Sequence, residues 1–557
     1  MNFCCNKFGF DAFALFKDFI TIVLVEMKKI FLMFPLLFAA VSLDAGAVPS
    51  ESSPLGRSRR AFELPEITPE DVAKVVRPGA LLSLEAAIPQ ALRQNLGLAV
   101  GRIEKSVTED QPDIAEAAFD PKFSFSSTYG MAGTTPYWKT DATRTSTQGW
   151  NNSVELSKKF AFGTEATVYG KFNRGYNLDG GPYSADSSVA AGVSVTQPLL
   201  KGFGEKINLA PLVIARQNVL KSGLFLRKTT LDLIYDTEVA YWNLSASYAL
   251  VSARLSSLRH AESVLEQVKK KRALKSGRTA TLEDVLQAEA EVASRRVNLV
   301  RARQSVENCD DTIRKLLGEK GDEDEASVYR VSELAETPEN RETRSFGEWI
   351  SAVRVFDIDL QIQEIEREQA QLNYEVAENA DDPSLDLIFG AEVGGRESSP
   401  WDAVRGAYGN DRRGYDLSAG IRFSVPIGFR QSEAELRQAM KRRQKVEVST
   451  AQALQNAMFE ARSAWRSLEA ARERLSAAQI ALKMQNESFK GQRARYSLGE
   501  ATLTDVLSAQ DSLDSARLEE IQAQLDVAVA RAKTARLDGR ILSENGFTWE
   551  EIDVISD

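Results

Sequence analysis

Cysteine and histidine are nearly missing from this chain of 557 residues, which has three cysteines and a single histidine, His260. Cys4 and Cys5 stand at the start, so Cys309 is alone in the body of the chain. One thiol builds no disulfide framework, and one Cys with one His builds no zinc site. Basic charge is also short. The net charge is −10, a balance that disfavours a nucleic-acid surface. No run after residue 47 approaches the ~20 apolar residues that a membrane helix needs. There is no Ser-centred nucleophile elbow, no phosphate-binding Gly loop and no metal-ligand spacing. Carboxylates cluster in "GDEDE" at 321–325, which reads as linker, and His260 sits among charged neighbours as a solvated side chain. The expectation is a protein that is not an enzyme and takes no cofactor.

What is present begins with an export signal. From Met27, "MKKIFLMFPLLFAAVSLDAGA" has two lysines, an apolar core and an Ala-x-Ala end at Ala45–Ala47. That is the pattern of a secretory signal. The expected start is Met27 with cleavage after Ala47; the alternative is an uncleaved anchor over 1–41. An exported chain without a spanning helix can still enter an outer membrane as a β-barrel.

Two periodicities alternate along the rest. Segments 122–129, 151–160, 165–174, 188–197, 384–394 and 415–425 alternate with period two. In 188–197, Val189, Ala191, Val193 and Val195 oppose Ser188, Ser194 and Thr196. Such segments approach the ~9–11 residues of a tilted membrane strand, although a soluble sandwich alternates in the same way. "FAFGTE" at 160–165 reads as a tight turn, while the stretch around Gly180–Gly181 and 396–414 read as long loops. Long helices follow the strands. From Leu209 to about Leu274 only Pro211 breaks the pattern, a path of roughly 100 Å. Leu244, Val251, Leu258 and Leu265 recur every seven residues, as do Leu468, Leu475, Leu482, Phe489 and Tyr496. A seam of that period means helices packed lengthwise as in a coiled coil. Shorter return helices are expected at 281–318 and 501–541, and a first helix from Leu84, capped by Ser83 and interrupted at Pro89.

The chain also repeats itself. "SGRTATLEDVL" at 276–286 returns as "SLGEATLTDVL" at 497–507. Leu84, Asn95 and Pro121 align without a gap to Phe346, Asp357 and Pro383, 262 positions on. The reading is a tandem duplication. The expected segments are an extension with signal (1–47), an extended lead-in (48–83), a first repeat (84–318), an acidic linker (319–344), a second repeat (345–541) and an acidic tail (542–557). The prolines Pro121, Pro198, Pro383 and Pro426 mark passages between helix and strand, since proline cannot continue a ladder.

This layout resembles the TolC-like outer-membrane efflux protein family over about residues 80–541. The carriers are "SVTQPLLKGFGEKINLAPLVIAR" at 194–216, "FSVPIGFRQSEAELRQA" at 423–439 and the two repeated motifs. The resemblance implies an α+β fold, with a trimeric outer-membrane β-barrel in lipid continuous with a long periplasmic helical coiled-coil barrel. It implies a homotrimer working with a periplasmic adaptor and an inner-membrane pump, in efflux or type I secretion. The runner-up is a coiled-coil spacer between envelope layers that transports nothing. Family members usually give four strands each, twelve per trimer. Here the extra hairpin near 151–175 gives six per chain and eighteen per trimer, unless it packs outside or above an ordinary barrel.

By the same resemblance the repeated motifs are periplasmic tips. Gly277 and Gly499 relieve their turns, one position out of register. Thr281 and Thr502 are candidate N-caps, with Asp284 and Asp505 in the first helical turns. These carboxylates serve as caps, or as acidic rings that gate the tunnel. The place one turn beyond Asp505, acidic in some family members, is Ser508. Tyr496 ends the second seam. The basic run Lys269, Lys270, Lys271 and Arg272, with Arg493 and Arg495, is either a solvated face or an adaptor contact.

Overall fold

The computed structural model describes residues 69–76, 78–134, 145–177, 184–273, 280–320, 328–331, 344–408 and 414–550. The signal segment and Gly277 lie outside the described residues. The first part of the chain holds α1 (Pro69–Val75), β1 (Pro78–Leu82), α2 (Leu84–Gln94), α3 (Leu96–Glu109), α4 (Gln111–Glu116), β2 (Lys122–Thr134), β3 (Thr145–Lys159), β4 (Glu165–Asn177), β5 (Ser184–Pro198), α5 (Glu205–Asn208), α6 (Ala210–Ala273) and α7 (Leu282–Leu317). After β6 (Val328–Val331) come α8 (Phe346–Phe356), α9 (Ile358–Asp381), β7 (Ser384–Glu397), α10 (Pro400–Tyr408), β8 (Gly414–Ser424), α11 (Arg430–Leu498), α12 (Leu503–Leu537) and α13 (Arg540–Glu544).

Six strands form one antiparallel sheet in the order β2-β3-β4-β5-β7-β8. The hairpin at 151–175 is thus inside the sheet, and packs neither outside nor above it. The strands have 11 to 15 residues, longer than the apolar alternation suggests. Gly, Ser, Thr and Asn extend them at the ends, as in Gly130–Thr134 facing Thr145–Gly149. Once two strands pair, the hydrogen-bond ladder carries residues of weak strand propensity along with it. Register assigns the faces. Phe125, Val154, Gly170, Ala191, Val393 and Tyr415 follow one another across the sheet on one face. The opposite face carries Glu155, Tyr169, Glu392 and Asp416, and the Tyr169 hydroxyl donates to Glu392 Oε2 at 2.8 Å. One wall is apolar and the other is wet, as a membrane barrel requires.

The sheet and the helices join at four places marked by proline. Pro198 ends β5 and Pro426 follows β8, while Pro121 and Pro383 precede β2 and β7. At 1.5 Å per residue, α6 with 64 residues and α11 with 69 run about 95–105 Å. Their seams are the expected ones: Leu244, Val251, Leu258, Leu468, Leu475, Phe489 and Tyr496 are all buried, and Leu265 and Leu482 pack beside them. The main core gathers Ile88, Leu92, Ile234, Tyr241, Leu244 and Ile313 around α2, α6 and α7. Asn95 and Asp357 play the same part 262 positions apart. Each side chain accepts from the N–H three residues on, Leu98 and Leu360, at 3.0 Å.

Several segments differ from the sequence reading. Pro89 does not interrupt α2, and Ser83 makes no side-chain cap bond there. The lead-in is not simply extended, and the acidic linker contains a strand. β1 pairs in parallel with β6, Leu82 facing Val331. Four residues of β propensity inside an acidic stretch carry little periodic signal alone, and their partner lies far away in sequence. The loop 396–414 contains the helix α10. The acidic tail is also attached to the core, since Leu542 is buried and Phe547 and Trp549 pack against it.

Candidate functional site at the hairpin tips

Both return helices start with the same device. The Thr281 hydroxyl accepts from the Asp284 N–H at 3.1 Å, while the Thr281 N–H donates to Asp284 Oδ2 at 2.7 Å. At Thr502 and Asp505 the two distances are 3.2 and 2.8 Å. Each is a reciprocal capping box, with Asp in the place usual for Glu, and it satisfies two otherwise orphaned N–H groups. The backbone N–H and then the hydroxyl of Thr502 hold the Asp505 carboxyl below the usual carboxylate range.

The long helix α11 closes on glycine. Gly499 has φ +80°, its N–H donating to Tyr496 O at 3.1 Å and the Glu500 N–H to Arg495 O at 2.9 Å. This double closure needs a left-handed residue, which glycine supplies without a Cβ penalty. Tyr496 packs with Val268, Val285, Phe489, Leu503 and Val506 in one apolar cluster, so the two hairpins meet at their tips. Burial, and next the charge of Asp284, push the Tyr496 hydroxyl pKa up.

Lys271 joins the hairpins. Its Nζ donates to Tyr496 O at 2.9 Å and stands 3.5 Å from the Tyr496 ring centroid. A cation there neutralises the carbonyl end of α11 and uses the ring face as well. Burial lowers the Lys271 pKa. The rest of the basic run is partly spoken for. Lys269 pairs with Glu289 at 2.8 Å, Lys270 with Glu266 at 2.6 Å, and Arg493 donates to Ser263 Oγ at 3.4 Å. Arg272 and Arg495 are exposed.

A second group escaped the sequence reading. About 18 Å above the Thr502 cap, twelve residues along α12, Asp514 accepts from Arg295 Nη1 of α7 and from the Ser257 hydroxyl of α6, both at 2.5 Å. Arg295 also pairs with Glu291 and Asp511, and Arg517 donates to Ser256 Oγ at 3.0 Å. Burial raises the Asp514 pKa by more than Ser257 and Arg295 lower it. Burial alone would lower Arg295, but Asp514, Glu291 and Asp511 outweigh it and keep the guanidinium charged. The available signal was positional. Arg295 follows Val285, Ala288 and Val292 in the three-four spacing of the buried seam.

Two long hairpins with apolar seams and matching capped tips thus continue from a sheet with one apolar wall. A model of the outer membrane efflux protein family matches residues 87–319 and 349–540. The chain belongs to the outer membrane efflux protein family. It is similar to the outer membrane efflux protein BepC of Brucella suis biovar 1 (strain 1330), 24% identical over 382 residues, spanning 66% of this chain and 76% of that one. Among solved structures, the Campylobacter jejuni CmeC outer membrane channel superposes with a TM-score of 0.61 at 16% identity, covering 91% of this chain and 98% of its own. The open state of the Neisseria gonorrhoeae MtrE outer membrane channel does so with 0.58 at 19% identity, covering 88% and 98%. As a member, this efflux protein lies in the outer membrane, with its helices extending into the periplasm, and the family's channels serve tripartite efflux systems.

Proposed function

We propose that this chain forms a homotrimeric exit duct for a tripartite efflux or type I secretion system, gated at its hairpin tips. The observation that carries the reading is the pair of open edges. β2 and β8 end the sheet and run in opposite directions, so β8 of one copy and β2 of the next continue the antiparallel order. Below them, Leu96, Val100, Ile103 and Val107 form an exposed stripe along α3, and Val448 and Phe459 are exposed on α11. Stripes of that spacing call for another helix. Six strands cannot enclose an aqueous pore, because even about eight leave an interior filled by side chains. Three copies of the six-stranded sheet make eighteen strands, a porin-like width. The near-equivalent halves of the chain fit an internal duplication.

In this reading the duct supplies the path and an inner-membrane pump the energy. The tip is held shut where Lys271 grips Tyr496 and where Asp284 and Asp505 gather, one of each per copy. Arg272 and Arg495 are left to meet an acidic adaptor surface, since Lys269, Lys270, Lys271 and Arg493 turn to their own chain. Such a contact weakens with salt. The unequal placement of Gly277 and Gly499 makes one tip bend more than the other. A spacer that transports nothing has no need of a sheet with one apolar wall.

The test is native mass spectrometry of the detergent-extracted protein together with planar-bilayer conductance. The expected result is a trimer whose opened form conducts on the porin scale. A monomer, or an image with twelve strands, overturns the reading.

A further inference from the structure

The helix α10 sits in an unusual place for a surface loop. By strand parity Gly395 shares the face of Val393, Ala391 and Phe389, which is the apolar, membrane-facing wall. A Cβ on Gly395 would lie 2.4 Å from Ala403 O and 2.5 Å from Ala407 N, so the helix rests on bare backbone there. Its inner side is Ala403, Gly406 and Ala407, all buried, and it packs on β5 as well as β7. Ser187 of β5 is fully covered on the same face. Its outer side carries Trp401, 76% exposed, and one turn later the exposed Arg405. β7 begins beside the helices and ends at Glu397, so α10 lies at the end of the sheet remote from the periplasm.

The neighbours along that height have the same character. Tyr129, Trp150, Arg174, Ser187 and Glu397 form one outward-facing row across five strands. The Tyr129 and Trp150 rings are 5.2 Å apart and about half exposed. The Arg174 guanidinium stands 5.1 Å from the Tyr176 ring centroid, and its Nε is buried without a hydrogen-bond partner. Indoles beside arginines whose aliphatic stems cross apolar surface are the composition of a membrane–water boundary.

We propose that α10 is an interfacial helix seated in the headgroup layer of the outer leaflet, with Trp401 at the acyl boundary and Arg405 and Arg174 facing lipid phosphates. The inference rests on the outer-membrane reading of the apolar wall. The exposed indole of Trp401 stands at the same end of the apolar wall as the exposed Tyr129 and Trp150 rings, and so continues the wall where it meets headgroups. Gly395 is the seat that keeps the helix flat against the barrel instead of projecting from it.

Nitroxide labels report depth through the ratio of collisions with oxygen to collisions with a water-soluble nickel chelate. The background is the full chain with its native cysteines changed to Ser, in vesicles containing phosphate-bearing anionic lipid. Leu417→Cys reads the mid-wall and Glu487→Cys, on α11, reads water. A label at Trp401→Cys should give an intermediate ratio, and adding Arg405→Gln should shift it about fivefold toward water, the effect of one basic side chain at an anionic surface. As a check without a label, lipids brominated near the headgroup should quench the wild type more than Trp401→Phe. If Leu417 reads deep but Trp401 reads like Glu487, and quenching is equal, α10 is a loop in water and the proposal fails. If Arg405→Gln changes nothing, the phosphate contact fails. If Leu417 itself reads as water, the membrane wall is wrong, and with it the basis of the proposal.

Discussion

The polar layer between the hairpins can be taken apart one partner at a time. Arg295→Met removes the guanidinium opposite Asp514 at a place where both side chains are only 7% exposed. Leaving a buried carboxylate without its partner costs about 3–5 kcal/mol. The lower end applies here, because Asp514 keeps the Ser257 hydroxyl and the nearby charges of Arg517 and Arg254. At roughly 1.4 kcal/mol per decade, about 3 kcal/mol is a hundredfold change in local opening. The assay is amide hydrogen exchange by mass spectrometry on peptides covering 282–292 and 503–513, just below the layer. Arg295→Met should accelerate both about a hundredfold. The pair Arg295→Met with Asp514→Leu should recover to within about tenfold of the wild type, since an apolar pair of similar bulk replaces a buried ion pair at little cost. Glu291 and Asp511 tolerate the loss because they reach water, at 25% and 61% exposure. Wild-type rates in the single variant would refute the reasoning, and so would a double variant as fast as the single.

The tips make three more predictions and the sheet one. Thr281→Ala and Thr502→Ala should each cost about 1 kcal/mol of helix start, read as faster exchange confined to the first turn of α7 or α12. Because the Asp505 pKa is lowered in the fold, its contribution is complete above the ordinary carboxylate range and is lost as pH falls through the lowered value. Exchange at 503–508, corrected for intrinsic rates, should therefore be flat from about pH 7 to 5 and rise only below about pH 4; loosening already at pH 6 contradicts it. Lys271→Met removes a charge-assisted bond and a ring contact worth about 2 kcal/mol together at a half-exposed site, so channel openings in planar bilayers should become more frequent, and Lys271→Arg should do less. Gly395→Val drives a side chain into the α10 backbone; proteolysis within 398–414 should speed up while the barrel stays heat-resistant, and an unchanged digest would show that α10 is not seated there.

Much of the architecture was legible because its physics is periodic. The seven-residue seam from Leu468 to Tyr496 states which face is buried, and Leu468, Leu475, Phe489 and Tyr496 are buried. The two-residue alternation of Val189–Val195 states only which residues share a face, and they stand half-buried on the apolar outward wall. The Thr-x-x-Asp spacing states its own hydrogen bonds, and both capping boxes form. What stayed hidden depends on partners far apart in sequence. β1 and β6 are short and unremarkable until they pair, and α10 reads as loop until Gly395 gives it a floor.

The polar layer was hidden for a different reason. The three-four spacing identifies seam positions whatever stands in them, and Arg295, Asp310, Gln510 and Asp514 occupy seam positions. A polar residue at such a position is easily taken for a solvated face, yet here all four, three of them charged, are buried. Apolar seams slide at little cost because one methyl replaces another, whereas an Arg295–Asp514 contact exists in one register only. The layer therefore fixes how the first hairpin stands against α12, while the apolar cluster below it around Tyr496 and Val506 is free of that constraint. If the tip parts as proposed, the Arg295 layer is the place beside it that holds register, because the seams on both sides of it are apolar.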